Sequence, residues 1–425
     1  MTVAVFLGSL LAAMALGVPI AYSLLLCGVA LMVHLGNFDA QILAQNLIEG
    51  ANSFPLLAVP FFMLAGEIMN VGGLSKRIVN LALALVGHKR GGLGYVVILA
   101  AVLMAALSGS AVADTAALAA LLLPMMVKAG HDKATAGGLI ASAGIIAPVI
   151  PPSIGFVIFG VAANVSITKL FLAGIVPGLL MAAGIAVAWY LVAKRENVRP
   201  PSPTSTAEKL RALRESTWAL VLPLIVLVGL KMGVFTPTEA AVVAAVYAGF
   251  VATVVYREMK LKDLYHVFVS AAKTTAVIMF LVAAAMVSAW LITIANLPQE
   301  LIALLQPFLD RPMLLMIIMM LVVIAVGTAM DMTPTILILT PVLMPLVKAA
   351  GIDPVYFGVL FIMNNAIGLI TPPVGTVLNV VAGVGKMKMD AVTRGVMPFM
   401  MAQFVVLFLL VLFPQLVMWP LKLFY

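Results

Sequence analysis

Two short polar runs stand inside otherwise apolar stretches: Ser108-Gly109-Ser110-Ala111-Val112-Ala113-Asp114-Thr115, and Gly327-Thr328-Ala329-Met330-Asp331-Met332-Thr333. A carboxylate in an apolar stretch is costly unless it faces the protein interior or water, so Asp114 and Asp331 are candidate ligands. Each also reads as a helix N-cap, an aspartate accepting backbone amides where a half-helix restarts, and the two roles are compatible. A helix broken at such a run frees carbonyls at one end and amides at the next, which suit a cation and a carboxylate respectively. Ser108, Gly109, Ser110, Gly327 and Thr333 are the accompanying candidates.

A second matched pair of interruptions is Pro151-Pro152-Ser153 and Thr371-Pro372-Pro373-Val374-Gly375-Thr376. Adjacent prolines remove two amide donors and prevent a continuous helix, leaving carbonyls free. A purely structural kink is the alternative, but the company of Thr371, Thr376 and Asn379 favours an oxygen-lined cation site. Sodium is the expected ion, held by backbone carbonyls near Ser108, Pro151, Gly327 and Pro372. Further candidates are Asn52 and Ser53, and Thr274 and Thr275, at the polar centres of two apolar segments. Glu67, Asn364 and Asn365 read as hydrogen-bond partners between helices rather than as ligands.

Other chemistries lack their parts. Cys27 is the single cysteine and His34, His88, His131 and His266 are scattered, so no disulfide, thiolate cluster or paired-histidine metal site is expected. No Gly-rich loop ends in Lys-Ser or Lys-Thr, so the chain does not power itself with ATP. No nucleophile and base stand in matching positions, which argues against an enzyme. No cofactor and no nucleic-acid partner is expected.

The elements that position these residues are membrane helices. With 64% hydrophobic and 9% charged residues over 425 positions, the chain would expose very large apolar patches in water. A spanning helix needs about 20 apolar residues, which allows roughly ten crossings and some partial ones. Stretches such as 95–107 and 396–413 are apolar on all sides, which excludes the alternation of a membrane barrel.

The chain is a repeat. Shifting Arg90, Pro124, Gly130, Asp132, Gly137, Pro151, Pro152, Gly174 and Pro177 by 221 positions reaches Arg311, Pro345, Gly351, Asp353, Gly358, Pro372, Pro373, Gly395 and Pro398, identical in every case. Paired breakers of this kind point to a repeat transporter. The expected division is a first repeat at 1–193, a polar linker at 194–217 and a second repeat at 218–425. Within them, segments 41–69 and 264–293 read as hairpins that enter the membrane and return, and 95–128 and 312–348 as broken helices. The basic linker, Arg257, Lys260, Lys262, Lys386, Lys388 and Arg394 place one face in the cytoplasm. An odd number of crossings between Arg90 and Lys194 inverts the second half and sets both ends toward the exterior. Lys76, Arg77, Lys89 and Arg90 flank RIVNLALALVG, which is too short to span and suits a surface-lying arm.

At SFPLLAVPFFMLAGEIM (53–69), SGSAVADTAAL (108–118), the paired-proline segments and GVFTPTEAAVVAAVYA (233–248), the chain closely resembles the large membrane subunit of tripartite ATP-independent periplasmic (TRAP) transporters. The resemblance covers essentially the whole chain. It implies an all-α polytopic protein of the bacterial inner membrane, with the inverted-repeat, elevator-type fold of the ion-transporter superfamily. It further implies import of an organic anion driven by a sodium gradient. The implied partners are a small four-helix membrane subunit and a periplasmic substrate-binding protein, with no ATPase. Ser108, Ser110, Asp114 and Asp331 would lie in or beside the substrate and sodium region, and the paired-proline loops and hairpin tips would complete the sodium sites. A stand-alone sodium:organic anion symporter of the same superfamily is the alternative, separated by its independence of partners.

Overall fold

The computed structural model describes residues 2–195 and 204–424, and among them it contains helices and no strand. The first half comprises α1 (Thr2–Ala15), α2 (Ile20–His34), α3 (Ala40–Ala51), a 3-10 turn (Phe54–Leu57), α4 (Ala58–Val71), α5 (Leu74–Val86), α6 (Gly92–Ser108), α7 (Ala111–Lys128), α8 (Lys133–Gly144), α9 (Ile154–Ala163) and α10 (Ile167–Ala193). The second comprises α11 (Thr206–Lys231), α12 (Pro237–Phe250) with a π turn at Val251–Val255, α13 (Leu261–Ile294), α14 (Leu297–Leu309), α15 (Pro312–Gly327), α16 (Met332–Ala349), α17 (Pro354–Gly368), α18 (Thr376–Gly385), α19 (Met389–Leu412) and α20 (Gln415–Phe424). Eight described helical stretches are long and apolar enough to cross a bilayer unaided.

At the 221-residue offset the elements pair in order, α5 with α14, α6–α7 with α15–α16, α8–α9 with α17–α18, and α10 with α19. Contacts between the halves are exchanged in the same way. α9 packs on α16 while its counterpart α18 packs on α7, and α4 packs on α12 while α13 packs on α2. Contacts that survive swapping the halves define a pseudo-two-fold relation.

The halves are also inverted. Trp189, near the linker end of α10, donates to the Gly91 carbonyl at 2.8 Å and stands 5.4 Å from the His131 ring. Gly91 precedes α6 and His131 follows α7, so both feet of this pair stand on the linker face. Lys128 and Lys133 share a pocket on that face with Gly385, the last residue of α18. α19 therefore starts there, and its 24 residues reach the far face. At its far end the Tyr356 hydroxyl lies 3.1 Å from the carbonyl oxygens of Leu410 and Val411, to which it donates. α17 thus begins on the far face, whereas its counterpart α8 begins on the linker face.

Several expected elements are redrawn. Segment 95–128 is a re-entrant hairpin, α6 and α7 with a tip at Gly109-Ser110, rather than a helix broken on its way across. Segment 312–348 is its counterpart, α15 and α16. Segment 41–69 is no packed hairpin: α3 and α4 both lie against α13, and Pro55, which lacks an amide and disfavours helix in the residue before it, separates them. Segment 264–293 has no proline or glycine and stays one helix, the 34-residue α13. The linker is shorter than expected. Residues 196–203 lie outside the described residues, and from Thr206 the chain is already α11, started by a capping box of Ser205 and Glu208.

α5 lies along the linker face as an arm. Arg77 pairs with Glu258 at 2.7 Å and covers the Tyr256 ring at 3.7 Å, while Gly87 and His88 at the other end share a pocket with Lys128. Small residues let the main supports approach closely. A Cβ on Gly138 of α8 would fall 2.1 Å from the Gly395 carbonyl carbon of α19.

Candidate functional site

The two hairpin tips meet at a central cavity of about 410 Å³. Three helix N-termini converge on it: Ala111–Ala113 of α7, Ile154 and Gly155 of α9, and Met332 and Thr333 of α16. The first amides of a helix lack internal partners, and the aligned peptide dipoles add positive potential, so this wall suits an anion. The opposite wall is Met63 and Glu67 of α4 with Thr274, Val277 and Ile278 of α13. Lys, Arg and His are absent from the described lining.

The local chemistry explains the tips. Gly109 adopts φ +62°, and a Cβ there would fall 2.6 Å from the Pro152 carbonyl oxygen, so the tip needs glycine to seat against the paired-proline loop. Ser110, not Asp114, caps α7 by accepting from the Ala113 amide. Asp114 sits one turn in, buried, where one carboxylate oxygen accepts from the Ser108 hydroxyl across the tip. Asp331 occupies the N-cap position of α16 without a side-chain capping bond, and its carbonyl accepts from Thr335. Gly375, in the second paired-proline loop, donates to the Thr328 carbonyl at 3.4 Å. Each loop therefore lies against the tip of its own half.

Within the described protein, buried oxygens without a hydrogen-bond partner near these junctions include Oδ2 of Asp114, Oγ1 of Thr115 and Oγ of Ser142 in the first half, and Oδ1 of Asn365 and Oγ1 of Thr376 in the second. Thr115 lies against Gly144, where α8 unwinds, and Asn365 against Gly327 at the second tip. Buried polar atoms are normally satisfied, so these oxygens, found in both halves, are candidate cation ligands.

Of the expected site residues, Gly109, Ser110, Thr274, Asp331 and Thr333 line the cavity. Ser108, Asp114, Pro151, Pro152, Gly327, Thr371 and Thr376 lie outside its lining, the first two at the first tip. Pro151 and Pro152 are buried, whereas Pro372 and Pro373 are exposed. Thr371 donates to the Ile367 carbonyl. Ser53 is elsewhere, in a pocket of about 390 Å³ on the far face with Asn164, Ser166, Thr236 and Thr238. Asn52 ends α3, and Thr275 is outside the lining. Asn364 and Asn365 donate to the Met320 and Met332 carbonyls, between helices. Glu67, read from the sequence as a partner between helices rather than as a ligand, accepts from Ser270 of α13 at 3.0 Å and also lines the cavity. The α9 N-terminus was missed, although Ser153 after two prolines is a helix-start signal.

Inverted halves, paired hairpins and helix N-termini gathered at one cavity define a multi-pass membrane permease of the inverted-repeat class. The chain belongs to the family described as Tripartite ATP-independent periplasmic transporter, DctM component, whose model matches residues 7–416. It is 59% identical over 422 residues, 99% of each chain, to the 2,3-diketo-L-gulonate TRAP transporter large permease protein YiaN of Escherichia coli. It is 39% identical to the sialic acid TRAP transporter large permease protein SiaM of Vibrio cholerae, covering 94% of this chain and 93% of that one. Identity is again 39%, over 88% of each chain, to the C4-dicarboxylate TRAP transporter large permease protein DctM of Pseudomonas aeruginosa. The fold is shared with the YdaH transporter of Alcanivorax borkumensis, with a TM-score of 0.62 at 18% identity, covering 88% of this chain and 89% of that one. The protein is thus a large permease subunit of the inner membrane.

Proposed function

We propose that this subunit imports a small organic acid, a sugar acid or another carboxylate, using a sodium gradient and substrate delivered by a periplasmic binding protein. The observation that carries the reading is the convergence of three helix N-termini on a cavity whose described lining has no basic side chain. The amides and bound sodium hold the carboxylate in place of a lysine or arginine. The unpartnered oxygens of Asp114, Thr115, Asn365 and Thr376 support two sodium positions, with carbonyls of the tips and paired-proline loops completing each shell. Nothing is chemically transformed, and sodium is the coupling ion.

An elevator movement fits the division of the cavity. The hairpins, α8–α9 and α17–α18 carry the anion-facing wall, and α4 and α13 form the wall they slide past. The arms α5 and α14 join the two bodies. A small four-helix membrane subunit is the expected companion, a reading supported by the words tripartite and large permease in the descriptions of the family and its relatives.

Uptake of a radiolabelled sugar acid into liposomes holding both membrane subunits tests this. Uptake is expected only with an inward sodium gradient and the binding protein together. Uptake without the binding protein would instead mark a stand-alone symporter, and uptake indifferent to sodium would refute the coupling.

A further inference from the structure

We propose that Glu67 decides which acids the cavity accepts: it admits a monocarboxylate whose other polar groups are hydroxyls and rejects a dicarboxylate. The inference rests on reading the cavity as the carboxylate site. The wall of helix N-termini, with the Ser110 and Thr333 side chains beside them, takes one carboxylate. The remainder of the ligand then faces α4 and α13. Among the described residues, that wall offers Met63, Val277 and Ile278 as apolar surface and Glu67 and Thr274 as polar groups.

The donors on this wall are already engaged. The Ser270 hydroxyl donates to Glu67 Oε1 at 3.0 Å, and the Thr274 hydroxyl donates to the Ser270 carbonyl at 3.1 Å. What remains for a ligand is acceptor capacity, that of the Glu67 carboxylate and of the neutral Thr274 hydroxyl oxygen, and only the carboxylate is charged. A hydroxyl donates to it in a charge-assisted hydrogen bond. A second carboxylate has no proton to give and meets like charge, with no Lys, Arg or His in the described lining to offset it. Asp331, the other acid of the lining, differs because it stands at the N-terminus of α16, whose dipole offsets its charge. Glu67 lies in the second half of α4 and has no such compensation. Lys273 precedes Thr274 but is exposed and outside the lining.

The test measures binding to the two-subunit membrane complex without the binding protein, so that selection by the latter does not enter. Sodium gluconate and sodium succinate serve as probes, titrated at fixed sodium with thermal stabilisation as the readout. The intact protein is expected to prefer gluconate by about tenfold or more, and Glu67→Gln, which keeps shape and the Ser270 bond, to narrow that preference about tenfold. Lys273→Gln should leave it unchanged. An unchanged preference in Glu67→Gln, an equal narrowing in Lys273→Gln, or equal binding of both acids by the intact protein would each overturn the assignment of Glu67. Binding of neither acid would overturn the carboxylate reading of the cavity as well, which separates the two failures.

Discussion

Asp114 is a buried acid with a hydrogen-bond partner on one side. Burial removes water from its carboxylate, and within the described protein one oxygen has the Ser108 hydroxyl while the other has no partner. A negative charge one turn into α7 is helped by the helix N-terminus, and a cation at the free oxygen would complete its surroundings. Asp114→Asn retains shape and removes charge. It is expected to raise the sodium concentration for half-maximal uptake about tenfold or more, because charge-assisted contacts are among the stronger ones. Initial uptake rates against sodium check this, and an unaltered sodium dependence at normal protein abundance would remove Asp114 from the coupling site. Asp114, Asp331 and Glu67 all stood out as acids in apolar sequence, but Glu67 read as a hydrogen-bond partner between helices rather than as a ligand. An acid that hydrogen-bonds a neighbouring helix and one that also faces a ligand give the same signal in one dimension.

At the scale of elements, the hairpin tips depend on close backbone approach. Gly109→Ala would place a Cβ 2.6 Å from the Pro152 carbonyl oxygen at a φ of +62°. The expected cost is about 1–3 kcal/mol, seen as a lowered midpoint of thermal unfolding in detergent together with loss of uptake. Gly130→Ala is the comparator, since φ there is +97° and nothing lies within 4 Å of the added carbon. It should lose stability through backbone strain while retaining uptake, and equal loss of uptake in both variants would argue against a special role for the first tip. The 221-residue pairing was legible because glycine and proline mark breaks wherever they fall. The direction after a break was not legible. A central polar run in a 34-residue apolar stretch describes equally a helix that continues and one that returns, and the answer lies in contacts at the feet, where Trp189 meets Gly91 and His131. The polar centre at Thr274-Thr275 misled for the opposite reason: Thr274 lines a cavity wall on an unbroken helix.

For the whole molecule, the elevator reading requires the α9–α10 loop to move past the 3-10 turn and the start of α12. Ser53 and Ser166 line one far-face pocket from the two sides of that boundary. With Cys27, the chain's single cysteine, replaced by serine, the double variant Ser53→Cys with Ser166→Cys is expected to lose uptake on oxidative or bifunctional cross-linking and to regain it on reduction. Full activity in cross-linked protein, with the cross-link verified by mass, would rule out relative movement at this boundary.

The exchanged contacts between halves also bear on how the chain is assembled during synthesis. α7 is covered by α18, and α9 by α16, so each half of the support is made from a segment translated much later. When the ribosome has completed α10, the hairpin that buries Asp114 still lacks one of its walls. On this arrangement the first half is expected to stay open along the apolar side of α7, around Leu123, until α18 arrives from the second half.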